Sequence, residues 1–221
     1  MQPNYVQRLR LHFSKAGVTR YIGHLDLART LERSLNRAQL PIAYTQGFNP
    51  RPRMQFAAAL PLGYTSQAEL ADIWLKEEID PATAQEKLTT AIAPGLIIHD
   101  IYPVPLKTDA LQNSTHSTLY AITFIDPSTV TDLAQRVQTI LEADEVKRER
   151  RRKKKTVVYN LRPLIHDLKC LPPDDNPTLH AHLALRTGAN GRPDELLMAM
   201  NIDPLETRIH RLEIYLQPEE D

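Results

Sequence analysis

Between Tyr5 and Phe13 the apolar side chains Val6, Leu9, Leu11 and Phe13 approach the alternation of a strand. The period then changes. From His24 to Ala38, Leu25, Ala28, Leu31, Leu35 and Ala38 recur at three- and four-residue steps, which predicts a helix with one buried stripe. Gly23 serves as its N-cap and Pro41 prevents much extension beyond Leu40. Pro41–Tyr44 begins a second strand, resumed over Met54–Leu60. Gly47-Phe48-Asn49-Pro50-Arg51-Pro52-Arg53 between them is irregular, because two prolines remove backbone donors and restrict their neighbours. Glu69–Leu75 reads as a strand with Leu70 and Trp74 on one face and Ala71, Ile73 and Leu75 on the other. Asp80-Pro81 opens a helix carrying Ala84, Leu88, Ala91 and Ile92, stopped by Pro94-Gly95, and Leu96–Tyr102 is a closing strand. Strand, helix, two strands, helix, strand is the ferredoxin-like order.

Residues 103–117 are polar and proline-containing, the composition of a linker, and the same grammar then begins again. Leu119–Phe124 is a strand, 130–141 a helix packed through Leu133, Val137, Ile140 and Leu141, and 146–161 an extended segment. Leu179–Leu185 alternates as a strand, Pro193–Met200 is a short helix and Ile209–Leu216 a final strand. The fold class expected is α+β, with two tandem ferredoxin-like units over 1–106 and 117–217, the second irregular where 147–178 fits the pattern least.

A length of 221 residues suits this division, and 42% hydrophobic with 24% charged residues is ordinary for a globular chain. No apolar run reaches the roughly 20 residues that span a bilayer. The N-terminus lacks the apolar core of a signal peptide, so no membrane partner and a cytoplasmic location are expected. A single cysteine, Cys170, forms no internal disulfide and fits a reducing compartment.

The formal net charge of zero conceals segregation. Residues 1–53 carry 9 basic and 2 acidic side chains, 54–146 carry 4 and 13, 147–155 carry 8 and 1, and the remainder 6 and 11. Two basic blocks alternate with two acidic ones, leaving local positive potential for a polyanion. In the first block, Arg29, Arg33 and Arg37 lie at four-residue steps along the predicted helix, and guanidinium geometry suits phosphate. They are either phosphate ligands or an ordinary solvated face. In the following loop Arg51 and Arg53 can hold phosphates while Phe48 or Tyr44 offers a stacking face; alternatively Phe48 lies in the core and the prolines protect a strand edge. The run Lys147, Arg148, Glu149, Arg150, Arg151, Arg152, Lys153, Lys154, Lys155 repels itself unless something compensates it, and a nucleic acid would do so.

His24, Asp26 and Lys15 are the candidates for catalysis, since an imidazole moves protons and a lysine stabilises phosphate charge. The competing reading is structural, with Asp26 facing a helix dipole, and no nucleophile–base–orienter set is visible. His180 and His182 share a strand face, but two histidines without further ligands do not make a zinc site.

Lys15, His24-Leu25-Asp26, Arg33, Arg37-Ala38, Pro41, Gly47-Phe48-Asn49-Pro50, Pro52, Leu60-Pro61, Gly63, Glu69 and Asp72 together resemble the radical SAM-linked domain family of unknown function, in its stand-alone form. The match runs over residues 7–75, and Asn160-Leu161-Arg162-Pro163 and Arg192-Pro193-Asp194-Glu195-Leu196 extend it more loosely. Members commonly have serine where this chain has Gly23 and aspartate where it has Asn160. The resemblance implies association with a radical SAM enzyme and a link to RNA. One cysteine cannot supply the three thiolates of a radical SAM iron–sulfur cluster, so the cluster and S-adenosylmethionine are expected in a partner and no cofactor in this chain. The expectation is a noncatalytic module that binds or presents transfer or ribosomal RNA. The alternatives are an RNA-cleaving enzyme using His24, by fold analogy with CRISPR RNA endonucleases, and a protein-interaction adaptor.

Overall fold

Alternation at the N-terminus produces a strand that buries one face completely. β1 (Gln7–Lys15) turns Leu9, Leu11 and Phe13 into a core and Arg8, Arg10 and His12 to the opposite face. The computed structural model describes residues 4–152, 155–171 and 177–217, and at 127, 129, 151, 152 and 155 the backbone only. The chain divides into two units, Met1–Thr115 with Gln217–Asp221, and His116–Leu216. Both combine helices with sheet strands, antiparallel wherever the pairing direction is described, so the fold is α+β.

In the first unit β1 is followed by α1 (His24–Arg37), β2 (Met54–Phe56), β3 (Thr65–Leu75), α2 (Pro81–Ala91) and β4 (Leu96–Pro103). The sheet order is β4-β1-β3-β2, every pair antiparallel. Leu27, Leu31 and Leu35 of α1 and Ala84 and Leu88 of α2 pack over Leu11, Ile73 and Ile101 of the sheet. The buried stripe of α1 departs from the expected one at its start, where Leu27 is buried and Leu25 is 73% exposed. Four residues bring a helix back to within about 40° of the same face, whereas the six from Leu25 to Leu31 leave it about 120° away.

The second predicted strand shrinks to β2 and two isolated bridges, Ile42 with Leu75 and Tyr44 with Pro52. Its prolines admit no longer ladder. Gly95, at φ +89°, fixes the entry to α1: its carbonyl accepts from Ala16 N–H and Thr19 Oγ1, and a Cβ there would stand 2.7 Å from the Ala16 carbonyl oxygen.

The opposite face of this sheet holds an ion cluster. Arg8 and Arg10 both donate to the Asp72 carboxylate, Arg10 Nε to Oδ1 at 2.7 Å, and none of the three is more than 5% exposed. Arg8 also donates to the carbonyls of Thr108 and Asp109, and Leu111 is buried. The segment read as a linker is therefore part of the first unit, which extends to Thr115 rather than ending at 106.

The second unit contains β5 (Thr115–Phe124), α3 (Leu133–Glu142), β6 (Lys147–Arg152), β7 (Lys155–Asn160), β8 (Ile165–Leu171), β9 (Thr178–Arg186), β10 (Ala189–Asn190), α4 (Pro193–Ala199) and β11 (Thr207–Leu216). Its sheet runs β8-β9-β5-β11, with the two-residue β10 pairing the end of β9. β6 and β7 pair only with each other, as a separate hairpin. Two expectations change here. The 146–161 segment is extended but pairs with itself as this hairpin, and the sheet takes a strand that the pattern missed, β8. α3 starts at Leu133, since Pro127–Val130 forms a 3-10 turn capped by Asp126. Among the described residues no helix is long and apolar enough to cross a membrane.

Candidate functional site

The first turns of α1, the strand β2 and the foot of the 47–53 loop enclose a cavity of about 630 Å³ in the first unit. α1 contributes His24, Leu25, Ala28, Arg29 and Glu32; the loop contributes Arg51 and Pro52; Met54, Phe56 and Ala57–Ala59 supply an apolar wall, and Gln112 a polar edge. Leu25 and Ala28, which miss the core stripe, are thus cavity lining. The His24 ring packs edge-on against Phe56, centroids 5.1 Å apart, and its Nδ1 is buried with no hydrogen-bond partner among the described residues. Gly23 offers no side chain to cap the helix here.

The loop itself is a closed stem with an exposed tip. Thr45 N–H donates to the Arg51 carbonyl at 2.8 Å, Arg51 N–H to Thr45 Oγ1 at 3.0 Å, and Arg53 N–H to the Ala43 carbonyl. Gly47 takes φ +148°, a conformation open to glycine. Phe48 is fully exposed at the tip, so it is not a core residue.

The predicted arginines part company. Arg29 and Arg51 line the cavity, and among the described residues Arg29 makes only a long, exposed ion pair of 3.4 Å with Asp26. Arg33 is exposed on α1 outside the cavity. Arg37 donates to Ser34 Oγ and to the Ala91 carbonyl, binding α1 to the end of α2. Arg53 lies over the rings of Tyr5, at 4.5 Å, and Trp74, at 5.2 Å. A guanidinium's flat face stacks on aromatics while its edge stays available for hydrogen bonds.

The catalytic candidates do not assemble either. Lys15 is fully buried and donates to the Tyr64 carbonyl. Asp26 is exposed with Arg29, and neither Lys15 nor Asp26 lines the cavity around His24. Among the described residues no carboxylate orients His24, and no group of three His, Cys, Asp or Glu is placed to hold a metal ion.

In the second unit the basic run forms most of the β6–β7 hairpin. Arg148 faces Tyr159, Glu149 faces Val158, Arg150 faces Val157, Arg151 faces Thr156 and Arg152 faces Lys155 in the ladder. Its base is fastened. Arg148 Nε donates to Glu195 Oε2 of α4 at 2.8 Å, Val146 N–H and Arg162 N–H both donate to Asn160 Oδ1, and Leu161 N–H to the Val146 carbonyl. Burial, with Glu195 adding to it, pushes the Tyr159 phenol up. Further out, Glu149, Arg150, Val157 and Val158 are exposed, and Arg150 has no ion pair among the described residues. Lys147 pairs with exposed Glu145 at 3.3 Å. Lys153 and Lys154 lie outside the described residues, as do the side chains of Arg151, Arg152 and Lys155.

A group that the sequence pattern did not reveal is the histidine row on the second sheet. His166 stacks on His182 at 5.1 Å and meets His116 edge-on at 5.7 Å; His182 also contacts Tyr215 and shares a 2.8 Å hydrogen bond with Ser117 Oγ. Burial, then the neighbouring His182, His116 and Arg186, push the His166 pKa below its ordinary value. His180 and His182 were legible as a pair, but His166 enters from β8, which the pattern missed.

A family model described as an uncharacterized protein conserved in bacteria (DUF2344) matches residues 8–193, and the chain belongs to that family. No curated protein matches it. Among solved structures it is similar to the archaeal box H/ACA sRNP Nop10–Cbf5 complex, at 8% identity and a TM-score of 0.41. The likeness covers 98% of this chain and 50% of that one, so the chain spans about half the length of the structure it matches.

Proposed function

We propose that this member of the DUF2344 family binds RNA without transforming it, holding the phosphate backbone with the β6–β7 hairpin, while Phe48 offers an unpaired base a stacking face. The reading rests on the hairpin's register. Arg148 and Arg150 stand opposite Tyr159 and Val157, with no acid across from either, and the ribbon pairs with no other strand among the described residues. Arg148 is anchored by Glu195 at the base, while Arg150 farther out is exposed, with no ion pair among the described residues. Fastened at one end and cationic along its length, the ribbon suits a polyanion whose counterions it would release.

The resemblance to radical SAM-linked domains makes the RNA, of transfer or ribosomal class, the substrate of a radical SAM partner to which this chain presents it. The iron–sulfur cluster and S-adenosylmethionine then belong to that partner. Cys170 is this chain's one thiol, fewer than the three thiolates that such a cluster needs. Filter binding to RNA over a series of salt concentrations tests the proposal. Binding that is tight at low salt and falls steeply as salt rises is expected, and no binding at low salt rejects it.

A second reading, an RNA-cleaving enzyme, is favoured by one observation: His24 lines the same cavity as Arg29 and Arg51. On that reading His24→Ala abolishes cleavage; retained cleavage removes the role.

A further inference from the structure

The cavity of the first unit has a chemistry that backbone binding leaves unused. One wall is apolar and carries an aromatic ring, Phe56, with Met54 beside it; the rim carries the guanidiniums of Arg29 and Arg51; Glu32 and Gln112 add polar groups. The His24 ring, edge-on to Phe56, joins that wall. A purely anionic ligand would leave the apolar wall unfilled, and a purely apolar one would bury the guanidiniums without a partner. A ligand with a flat apolar body, hydrogen-bonding edges and one anionic end satisfies all of these groups. The volume of about 630 Å³ falls within the range of about 300 to 1,000 Å³ usual for small-molecule sites.

We infer that this cavity binds one nucleoside monophosphate unit, its base against Met54 and Phe56, its phosphate at Arg29 and Arg51, and its ribose hydroxyls or base edge at Glu32 and Gln112. The unit is either a free nucleotide or one unpaired residue of an RNA strand, whose bases are open to stacking and edge recognition. The inference stands apart from the hairpin, so the two succeed or fail separately.

Amide chemical shifts of the full-length protein, titrated with adenosine or uridine 5′-monophosphate at low salt, test it. Saturable shifts at Leu25, Ala28, Phe56 and Ala57 are expected, with weaker binding of the phosphate-free nucleosides. Arg51→Ala, at an exposed position outside the core, is expected to weaken the monophosphate about tenfold or more while leaving the nucleosides unchanged, the loss typical of one charged hydrogen bond. Ala28→Trp, filling the cavity, is expected to abolish both. Displacement of the mononucleotide by a short single-stranded RNA assigns the site to an RNA residue; shifts that such an RNA cannot displace assign it to free nucleotide. The shifts are expected to persist when the hairpin arginines are neutralised. Absence of cavity shifts at millimolar nucleotide, or equal affinity for nucleoside and monophosphate, overturns the inference.

Discussion

The Arg148 guanidinium donates to Glu195 Oε2 at 2.8 Å, joining a hairpin that carries exposed Lys147 and Arg150 to a helix of the second unit. Both side chains are largely buried, at 23% and 11% exposure, so this pair is worth more than a surface ion pair. Arg148→Ala leaves the Glu195 carboxylate unpaired and is expected to cost about 1.5–3 kcal/mol, whereas a charge removed at exposed Arg150 should change stability by under about 0.5 kcal/mol. Urea unfolding of the two variants checks the contrast, and equal midpoints contradict it.

Asp72 carries the ion cluster of the first unit. Burial works against the Arg10 charge, yet the hydrogen bond and charge of Asp72, with a contribution from Tyr102, outweigh it and raise the Arg10 pKa. Asp72→Asn leaves two arginines buried without a counter-ion and is expected to destabilise the protein by about 3–5 kcal/mol. Denaturant midpoints measure it, and a loss below about 1 kcal/mol would show that the cluster is solvated.

These two clusters explain how much of the molecule could be read from its residues. The helix at His24 was legible because Gly23 and Pro41 bracket a clean 3.6 period, and α2 because Asp80-Pro81 is a cap followed by proline. β8 was not, because a bulge between Ile165 and Asp167 breaks the alternation and His166, Asp167 and Lys169 face outward. The charge blocks were legible, but not which cations fold into the structure. Arg8, Arg10 and Arg37 count toward a basic N-terminal block, yet each is committed to a carboxylate or a carbonyl. The cavity was not legible, because Leu25 and Ala28 were read as part of the buried stripe, and the structure instead makes them its lining beside Arg29.

Acid should weaken the second unit through its histidines. His166, His180 and His210 all have folded-state pKa values below the ordinary one, each first through partial desolvation, to which His182, His116 and Arg186 add at the outward-facing His166. Their unfolded forms therefore bind protons more readily, so stability is full above about pH 6.5 and declines as pH falls toward the depressed folded values. His166 is faced by His116, His182 and Arg186, so it should carry part of the effect. Thermal midpoints across this range should fall on acidification, and His166→Gln should flatten the fall. A midpoint indifferent to pH contradicts this account.

Phe48, exposed at the tip of a loop closed by Thr45 and Arg51, has no packing to lose. Phe48→Ala is expected to leave the unfolding midpoint unchanged and to weaken single-stranded RNA by about 1–3 kcal/mol if a base stacks there. Fluorescence anisotropy with a labelled oligonucleotide reads the affinity. Unchanged affinity removes Phe48 from the interface.

The central claim is that the β6–β7 hairpin grips phosphates, and the salt dependence of RNA affinity in a charge-neutralised hairpin tests it most directly. Arg150→Gln, Arg151→Gln, Arg152→Gln and Lys155→Gln are combined, with Arg148 kept to hold the base of the ribbon. The account predicts weaker binding at low salt and a slope of log affinity against log salt shallower by about one for each phosphate that the hairpin no longer neutralises. Affinity and slope equal to those of the unmodified protein would contradict it.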